Sequence, residues 1–111
     1  MFDAKVFKEL IAKEDKLHIN DPTIVDCWEE QLQYILLDLD GLVRYIESDI
    51  TENEFSSLSS IFDEIVENTQ SRSFIAALKR AAERFPEECE RYNILEFIDD
   101  AEKLLNEPKE A

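Results

Sequence analysis

The sequence predicts an all-α fold: a single helical domain over residues 1–111, built from five or six helices, with 106–111 as a frayed tail. Three observations support this prediction. The chain contains one glycine and three prolines, too few turn-forming residues for a fold of many short strands. Its apolar residues recur at helical spacing, without the alternation of a half-buried strand. Hydrophobic residues make up 44% of the 111 residues, which is enough for one modest core.

The first helix is predicted to begin near Asp3. Asp3 can cap this helix, and Phe2 and Phe7 have the spacing of a hydrophobic staple across the cap. The stretch 13–20 breaks the apolar pattern, and it therefore predicts the loop that follows.

The second helix is predicted to begin with Asp21 as its cap and Pro22 at its first position. At about 100° per residue, its apolar side chains fall within an arc of roughly 120°. The stripe continues in phase past Gly41, so that glycine is the predicted place for a kink or a division. The stripe consists of Ile24, Val25, Trp28, Leu32, Ile35, Leu36, Leu39, Leu42, Val43 and Ile46.

The third helix has the clearest beginning. Thr51 and Glu54 form the T-x-x-E pattern of a capping box, in which each residue satisfies a backbone N–H near the other. Ile50 and Phe55 have the spacing of a staple around this box. The predicted buried face of this helix consists of Phe55, Leu58, Ile61, Phe62, Ile65 and Val66.

The fourth helix is predicted to begin at Ser71 or Ser73. It ends before Pro86, because the residue before a proline avoids the helical region. The stretch 86–92 is predicted to add a short turn of helix.

The last helix is predicted to begin at Asn93. Asn93 is expected to act as the cap, with Glu96 at the box position and with Tyr92 and Phe97 as the staple. Its predicted core face consists of Ile94, Phe97, Ile98, Ala101, Leu104 and Leu105.

The stretch "ILLDLDGLV", residues 35–43, resembles the nucleophile motif of the haloacid dehalogenase phosphatases. In that family the first aspartate attacks phosphorus and the second works as general acid, in a loop after a buried parallel strand. Here the residues before Asp38 follow helical spacing, Leu42 stands where the family has threonine, and no strand signals predict the required sheet. Asp38 and Asp40 are therefore predicted to be solvated helix residues without a catalytic role.

The sequence offers no other pattern typical of catalysis or metal binding. A calcium loop beginning at Asp38 would need its glycine two positions after Gly41, and a glutamate where Asp49 stands. With His18 as the one histidine, zinc and di-iron sites lack ligands, and nucleophilic catalysis lacks a base. We predict no enzyme activity, no cofactor and no metal.

The two cysteines have no paired spacing. Cys27 and Cys89 are expected to be reduced thiols that are buried or half-buried, as is usual in a cytosolic chain. The spacing leaves open whether the two thiols are close enough to form a disulfide.

The net charge restricts the choice of partner. The chain carries 27 acidic and 12 basic residues, a formal net charge of −15. Phosphate would be repelled, so neither nucleic acid nor an anionic membrane surface is an expected partner. A basic protein fits this charge best. No secretory signal and no membrane-spanning run is present, so a cytoplasmic location is expected.

The acidic residues are not spread evenly along the chain. Between Asp21 and Ser71 there are thirteen acids and one base, Arg44, while the other eleven bases lie outside this stretch. Like charges on one face repel, so this segregation favours a binding surface. The acids predicted to contact a partner are Glu30, Asp38, Asp40, Glu47, Glu64 and Glu67.

Three apolar or aromatic residues of the second helix lie outside its core arc. Leu37 points away from Trp28 among charged neighbours, and Tyr34 and Tyr45 flank it. Apolar and aromatic anchors ringed by charge are typical of a protein interface hot spot. The three are therefore predicted as partner-binding anchors. The alternative is that the second helix is buried on two sides and that these residues contact another helix.

The stretch "SDITENEFSSLSSI", residues 48–61, is similar to the start of the first helix in colicin-type DNase immunity proteins. The matching positions are Ser48, Asp49, Thr51, Glu52, Glu54, Phe55 and Leu58. That family also carries a Tyr-Tyr-Pro site, which this chain lacks, so its toxin-binding residues are not transferred. The resemblance implies a class: small, acidic, cytoplasmic all-α immunity proteins of colicin or contact-dependent inhibition toxins.

The resulting hypothesis is an immunity protein that neutralises a basic toxin domain, with a nuclease as the expected example. Two alternatives remain open. One is a nucleic-acid-mimicking inhibitor from a phage, directed at a restriction or CRISPR enzyme. The other is a helical adaptor or regulatory subunit.

Overall fold

The computed structural model describes residues 2–17 and 21–105. Within those ranges the chain forms eight α-helices and one 3-10 turn, Ser59–Ile61, and no β-strand. The all-α prediction is therefore confirmed. The helices are α1 (Ala4–Asp15), α2 (Ile24–Leu36), α3 (Leu39–Ser48), α4 (Glu52–Leu58), α5 (Phe62–Thr69), α6 (Arg72–Arg84), α7 (Pro86–Tyr92) and α8 (Ile94–Glu102). His18 and the predicted tail at 106–111 lie outside the described residues.

One continuous apolar core joins these helices. α1 packs against α2, α3 packs against α6, and α8 contacts both α5 and α6. Phe7, Phe55, Phe62 and Phe74 are fully buried at its centre. The ring of Phe62 lies 6.1 Å from that of Phe74 in an edge-to-face arrangement, which the quadrupoles of aromatic rings favour. This packing also brings α2 beside α5.

Two predicted helix caps are confirmed, and a third is present at the predicted start of the fourth helix. The Asp3 carboxylate accepts a hydrogen bond from a backbone N–H of the first turn of α1 at 2.9 Å, and Ser71 does the same for α6 at 3.1 Å. Thr51 and Glu54 form both hydrogen bonds of a capping box at the start of α4. Each cap satisfies backbone donors that the first turn of a helix leaves without partners.

The second predicted helix is in fact two helices, and the division falls at Asp38 rather than at Gly41. Asp38 adopts an extended φ of −159°. Its carboxylate accepts a hydrogen bond from the backbone N–H of Gly41 at 3.1 Å, which makes Asp38 the N-cap of α3. Because the apolar period continues in phase across the break, the period alone could not reveal it. The Asp-x-Asp-Gly stretch therefore lies at a helix junction, not within a helix.

A second division raises the number of helices above the predicted five or six. The third predicted helix is divided into α4 and α5 by the 3-10 turn Ser59–Ile61, where the Ser59 hydroxyl donates to the backbone carbonyl of Ser56 and so competes with helical hydrogen bonds. The short helical turn predicted for 86–92 is confirmed as α7.

Two helix ends also differ from the prediction. α1 continues through Asp15, into the stretch predicted as a loop. α2 begins at Ile24 rather than at Pro22, because the Asp21 side chain accepts a hydrogen bond from the backbone N–H of Thr23 at 2.8 Å. That bond forms a local turn just ahead of α2.

The last helix begins after Asn93, as predicted, but two details of its prediction are wrong. Asn93 has a left-handed φ of 60°, and its side-chain amide donates to the Glu96 carboxylate instead of capping the backbone. Phe97, predicted for the core, is 42% exposed. Ile94 and Ile98 face the core, as predicted.

Candidate functional site

Asp38 holds the N-terminal segment of the chain in place. Its carboxylate accepts hydrogen bonds from the backbone N–H of Phe2 at 2.8 Å and from that of Gly41 at 3.1 Å. These two bonds, that from Phe2 first, lower the pKa of Asp38 below its ordinary value. A side chain at position 41 would collide with the Cβ atom of Phe2. Gly41 is therefore required for this close approach, and Asp38 has a structural role.

Two of the three predicted anchors contact the same N-terminal segment. The Tyr34 hydroxyl accepts a hydrogen bond from the backbone N–H of Asp3 at 2.7 Å. The Phe2 ring lies 5.9 Å from the ring of Tyr34 and 5.5 Å from that of Tyr45, and Tyr45 is only 7% exposed. The structure thus places both tyrosines in intramolecular contacts, as in the alternative considered for them.

Tyr45 also belongs to a buried polar network around Glu54. The Glu54 carboxylate accepts hydrogen bonds from the Lys8 ammonium at 2.8 Å, the Tyr45 hydroxyl at 2.7 Å and the backbone N–H of Thr51 at 3.1 Å. Burial alone would raise the pKa of Glu54, but these donors together outweigh burial and lower it. Burial, followed by the bond to Glu54, raises the pKa of Tyr45. Glu54 is therefore an ionised structural residue.

Two of the predicted acidic contacts are paired with bases of the same chain. Glu30 lies 2.8 Å from the Lys13 ammonium, and Glu47 forms an ion pair with Arg80. Arg84 adds hydrogen bonds to the backbone carbonyl of Glu47 and its neighbour at the end of α3. Intramolecular bases thus already compensate both carboxylates.

The remaining predicted contacts are exposed. Leu37 is 77% exposed, the largest value among the exposed large hydrophobic residues of the described part. Asp40, Glu64 and Glu67 are exposed as well. Within the described residues, seven of the thirteen acids in the stretch 21–71 form no ion pair and no side-chain hydrogen bond. These unpaired acids are Asp26, Asp40, Asp49, Glu52, Asp63, Glu64 and Glu67.

A shallow groove between α2 and α5 combines carboxylates with exposed apolar surface. This α2–α5 groove has a volume of about 100 Å³ and is lined by Val25, Trp28, Glu29, Leu32, Ile61 and Glu64. Val25 is 57% exposed. Carboxylates from both helices flank an indole ring here, an arrangement that suits the aliphatic stem and cationic end of a lysine or arginine.

The sequence prediction missed this groove because it placed Val25 in the core. The buried face of α2 includes Cys27 and Gln31, which lie on the side of the apolar stripe away from Val25. That rotation leaves Val25 at the surface. The available signal was the position of Val25 near the edge of the arc, together with Glu29 one turn along the helix.

In the described ranges we find no cluster of three or more histidine, cysteine, aspartate or glutamate side chains that could hold a metal ion. Cys27 and Cys89 are both free and buried. None of the described helices has the length and apolar character needed to cross a bilayer.

Comparison with known proteins gives no relative: no protein-family model, no curated protein sequence and no solved structure matches the chain.

Proposed function

We propose that the chain is an immunity-type inhibitor, a cytoplasmic protein that binds and neutralises a basic protein domain. A toxin nuclease is the expected example of such a domain. The observation that carries this proposal is the α2–α5 groove, where Glu29 and Glu64 flank the exposed Val25 and the half-buried Trp28. Surface carboxylates beside apolar and aromatic groups provide both attraction and a desolvated contact.

The distribution of ion pairs supports a basic partner. Bases of the chain compensate Glu30, Glu47 and Glu54, but the seven unpaired acids defined above have no such compensation within the described residues. Their mutual repulsion costs free energy in the isolated protein, and cations of a partner would relieve that cost. Nucleic acid would add to the repulsion, so a protein is the expected ligand.

Leu37 supports the same proposal from a second position. Its side chain is almost fully in water at the junction of α2 and α3, between the cap residue Asp38 and the end of α2. Burial of an exposed leucine by a partner is favourable and therefore contributes to the free energy of binding. Leu37 is therefore a proposed anchor, whereas Tyr34 and Tyr45 serve the packing of the N-terminal segment.

The test begins with photo-crosslinking in the source organism. A benzophenone amino acid replaces Val25 in one variant and Glu87, an exposed residue of α7, in the control. We expect position 25, but not position 87, to crosslink one protein with a basic domain. The proposal is wrong if both positions capture the same mixture, or if the protein captured at position 25 is acidic.

The second part uses that purified partner. An equimolar amount of the chain is expected to abolish its activity, and the association rate should fall as the salt concentration rises. The double variant Glu29→Gln/Glu64→Gln is expected to bind about tenfold more weakly. The matched control Glu9→Gln/Glu87→Gln changes the net charge equally at exposed residues outside the groove. Equal weakening in the two variants would mean that overall charge, and not the groove, directs binding.

A further inference from the structure

A second groove lies where α6, α7 and α8 meet. This C-terminal groove has a volume of about 650 Å³, within the range of cavities that hold ligands of substantial size. Ala82 and Cys89 form its buried floor, Pro86 lies beside them, and Leu95 of α8 stands at its wall. It contains no residue of the stretch 21–71, so it is separate from the α2–α5 groove.

The floor of the C-terminal groove is formed by small, uncharged side chains. Ala82 and Cys89 are almost fully buried, yet neither extends far enough to fill the space above it. Burial raises the pKa of the Cys89 thiol, which keeps it protonated at neutral pH. Leu95 is 61% exposed, although it stands beside this floor. An apolar side chain entering here would cover both Leu95 and the floor.

The charges at the rim define the complementary ligand. Glu83 of α6 and Glu90 of α7 line the groove, and neither has an ion-pair partner among the described residues. Lys79 also lines it, but the Lys79 ammonium lies 2.9 Å from Glu102, which neutralises it. The rim therefore presents two uncompensated carboxylates, one on each of two neighbouring helices.

We propose that the C-terminal groove receives an amphipathic helix of another protein, with bulky apolar side chains on the floor and lysine or arginine facing Glu83 and Glu90. Helix-in-groove recognition uses apolar anchors at i, i+3, i+4 and i+7. Cations beside these anchors match the two carboxylates of the rim. This site does not depend on the proposed inhibitor function, because it uses a different surface.

A synthetic peptide tests the proposal directly. The probe is a leucine–lysine peptide of about four helical turns, with its leucines on one face. It is titrated into ¹⁵N-labelled protein while amide chemical shifts are followed. We expect the shifts to concentrate in residues 79–95. A peptide of the same composition in scrambled order, and a leucine–glutamate version, are expected to bind much more weakly.

Two matched variants sharpen the test. Leu95→Ser is expected to weaken peptide binding about tenfold, whereas Leu37→Ser, at an even more exposed leucine, leaves the affinity unchanged. Glu83→Gln/Glu90→Gln should weaken binding more than the pair Glu9→Gln/Glu67→Gln, which changes the net charge equally at residues that do not line the groove. Every substitution in these two comparisons lies at an exposed position, where effects on folding are small.

Three results would overturn the proposal. The shifts could concentrate in residues 25–67, which would mean attraction to the acidic stretch alone. The two leucine variants could weaken binding equally, which would exclude a specific anchor. Finally, the signals of residues 79–95 could change on simple dilution of the free protein, which would identify a second copy of the chain as the occupant.

Discussion

The hydroxyl of Tyr45 donates a hydrogen bond to the carboxylate of Glu54 at 2.7 Å, and both side chains are buried. This contact joins α3 to the first turn of α4. Together with Lys8 of α1, it ties three helices to one carboxylate. A buried charge with several donors is costly to disrupt, because removal of one member leaves the others without partners.

Glu54→Ala is therefore expected to lower the free energy of unfolding by about 2 kcal/mol. The buried Tyr45 hydroxyl loses its acceptor, and the capping box of α4 loses one of its two bonds. Urea unfolding followed by circular dichroism measures the change. Glu67→Ala, at an exposed acid without a partner, should change stability by less than about 0.5 kcal/mol; equal losses would contradict the network.

The same carboxylate predicts a dependence on pH. The folded pKa of Glu54 lies below its ordinary value of 4.5, so its stabilising contribution is complete above that value and is lost as pH falls through the folded pKa. Unfolding measured from about pH 6 downwards should therefore show a smaller loss of stability in Glu54→Gln than in the natural chain. Parallel pH profiles of the two proteins would refute this assignment.

The two aspartates of the Asp-x-Asp-Gly stretch are expected to respond differently to substitution. Asp38→Ala should cost about 1–2 kcal/mol, because α3 loses its cap and Phe2 loses an acceptor. Asp40→Ala should cost less than about 0.5 kcal/mol, because Asp40 is exposed and has no partner in the described part. Thermal unfolding of the two variants tests this difference. If the stretch were a catalytic loop, both substitutions would abolish activity, and their effects on stability would not need to differ.

Gly41→Ala is expected to destabilise the protein by about 1–2 kcal/mol, since the added methyl group meets the Cβ atom of Phe2 and the Asp38 carboxylate. Without these neighbours, alanine would be the better helix former. A Phe2→Gly background removes the contact with the Cβ atom of Phe2 and leaves only that with the Asp38 carboxylate, so the loss should be clearly smaller there. An unchanged loss in that background would show that the N-terminal segment does not rest on Gly41.

Leu37→Asp should separate folding from binding. The side chain is almost fully in water, so the free energy of unfolding is expected to stay within about 0.5 kcal/mol of the original value. Association with the basic partner, measured by surface plasmon resonance, should weaken if Leu37 is an anchor. Unchanged association would remove Leu37 from the interface.

The fold could be predicted largely from local signals. Asp3, Thr51 and Glu54 act within one helical turn of their own positions, so their capping roles were visible in the sequence. The break at Asp38 was not, because the apolar period continues in phase across it. The contact that holds the N-terminal segment on Asp38 was not visible either, because the backbone N–H of Phe2 that donates to its carboxylate lies 36 residues away along the chain. Such a long-range contact leaves no periodic trace.

The candidate site could be predicted only in part. The excess of acids in the stretch 21–71 is a property of composition, but the choice of which acids stay unpaired depends on where Lys13 and Arg80 fall in the fold. The exposure of Val25 depends on the rotation of α2 against α1 and α5. Leu95 was correctly left out of the predicted core face and is exposed, but its place beside the C-terminal groove depends on how α6, α7 and α8 pack together.

The α2–α5 groove has a practical consequence for experiments. Trp28 is the one tryptophan of the chain, and its indole nitrogen is shielded from water without a hydrogen-bond partner in the described structure. Its fluorescence therefore comes from the proposed site and from nowhere else in the protein. When a partner that lacks tryptophan binds, a change in emission would report occupancy of the groove, and a rapid-mixing trace would time the encounter, without any label.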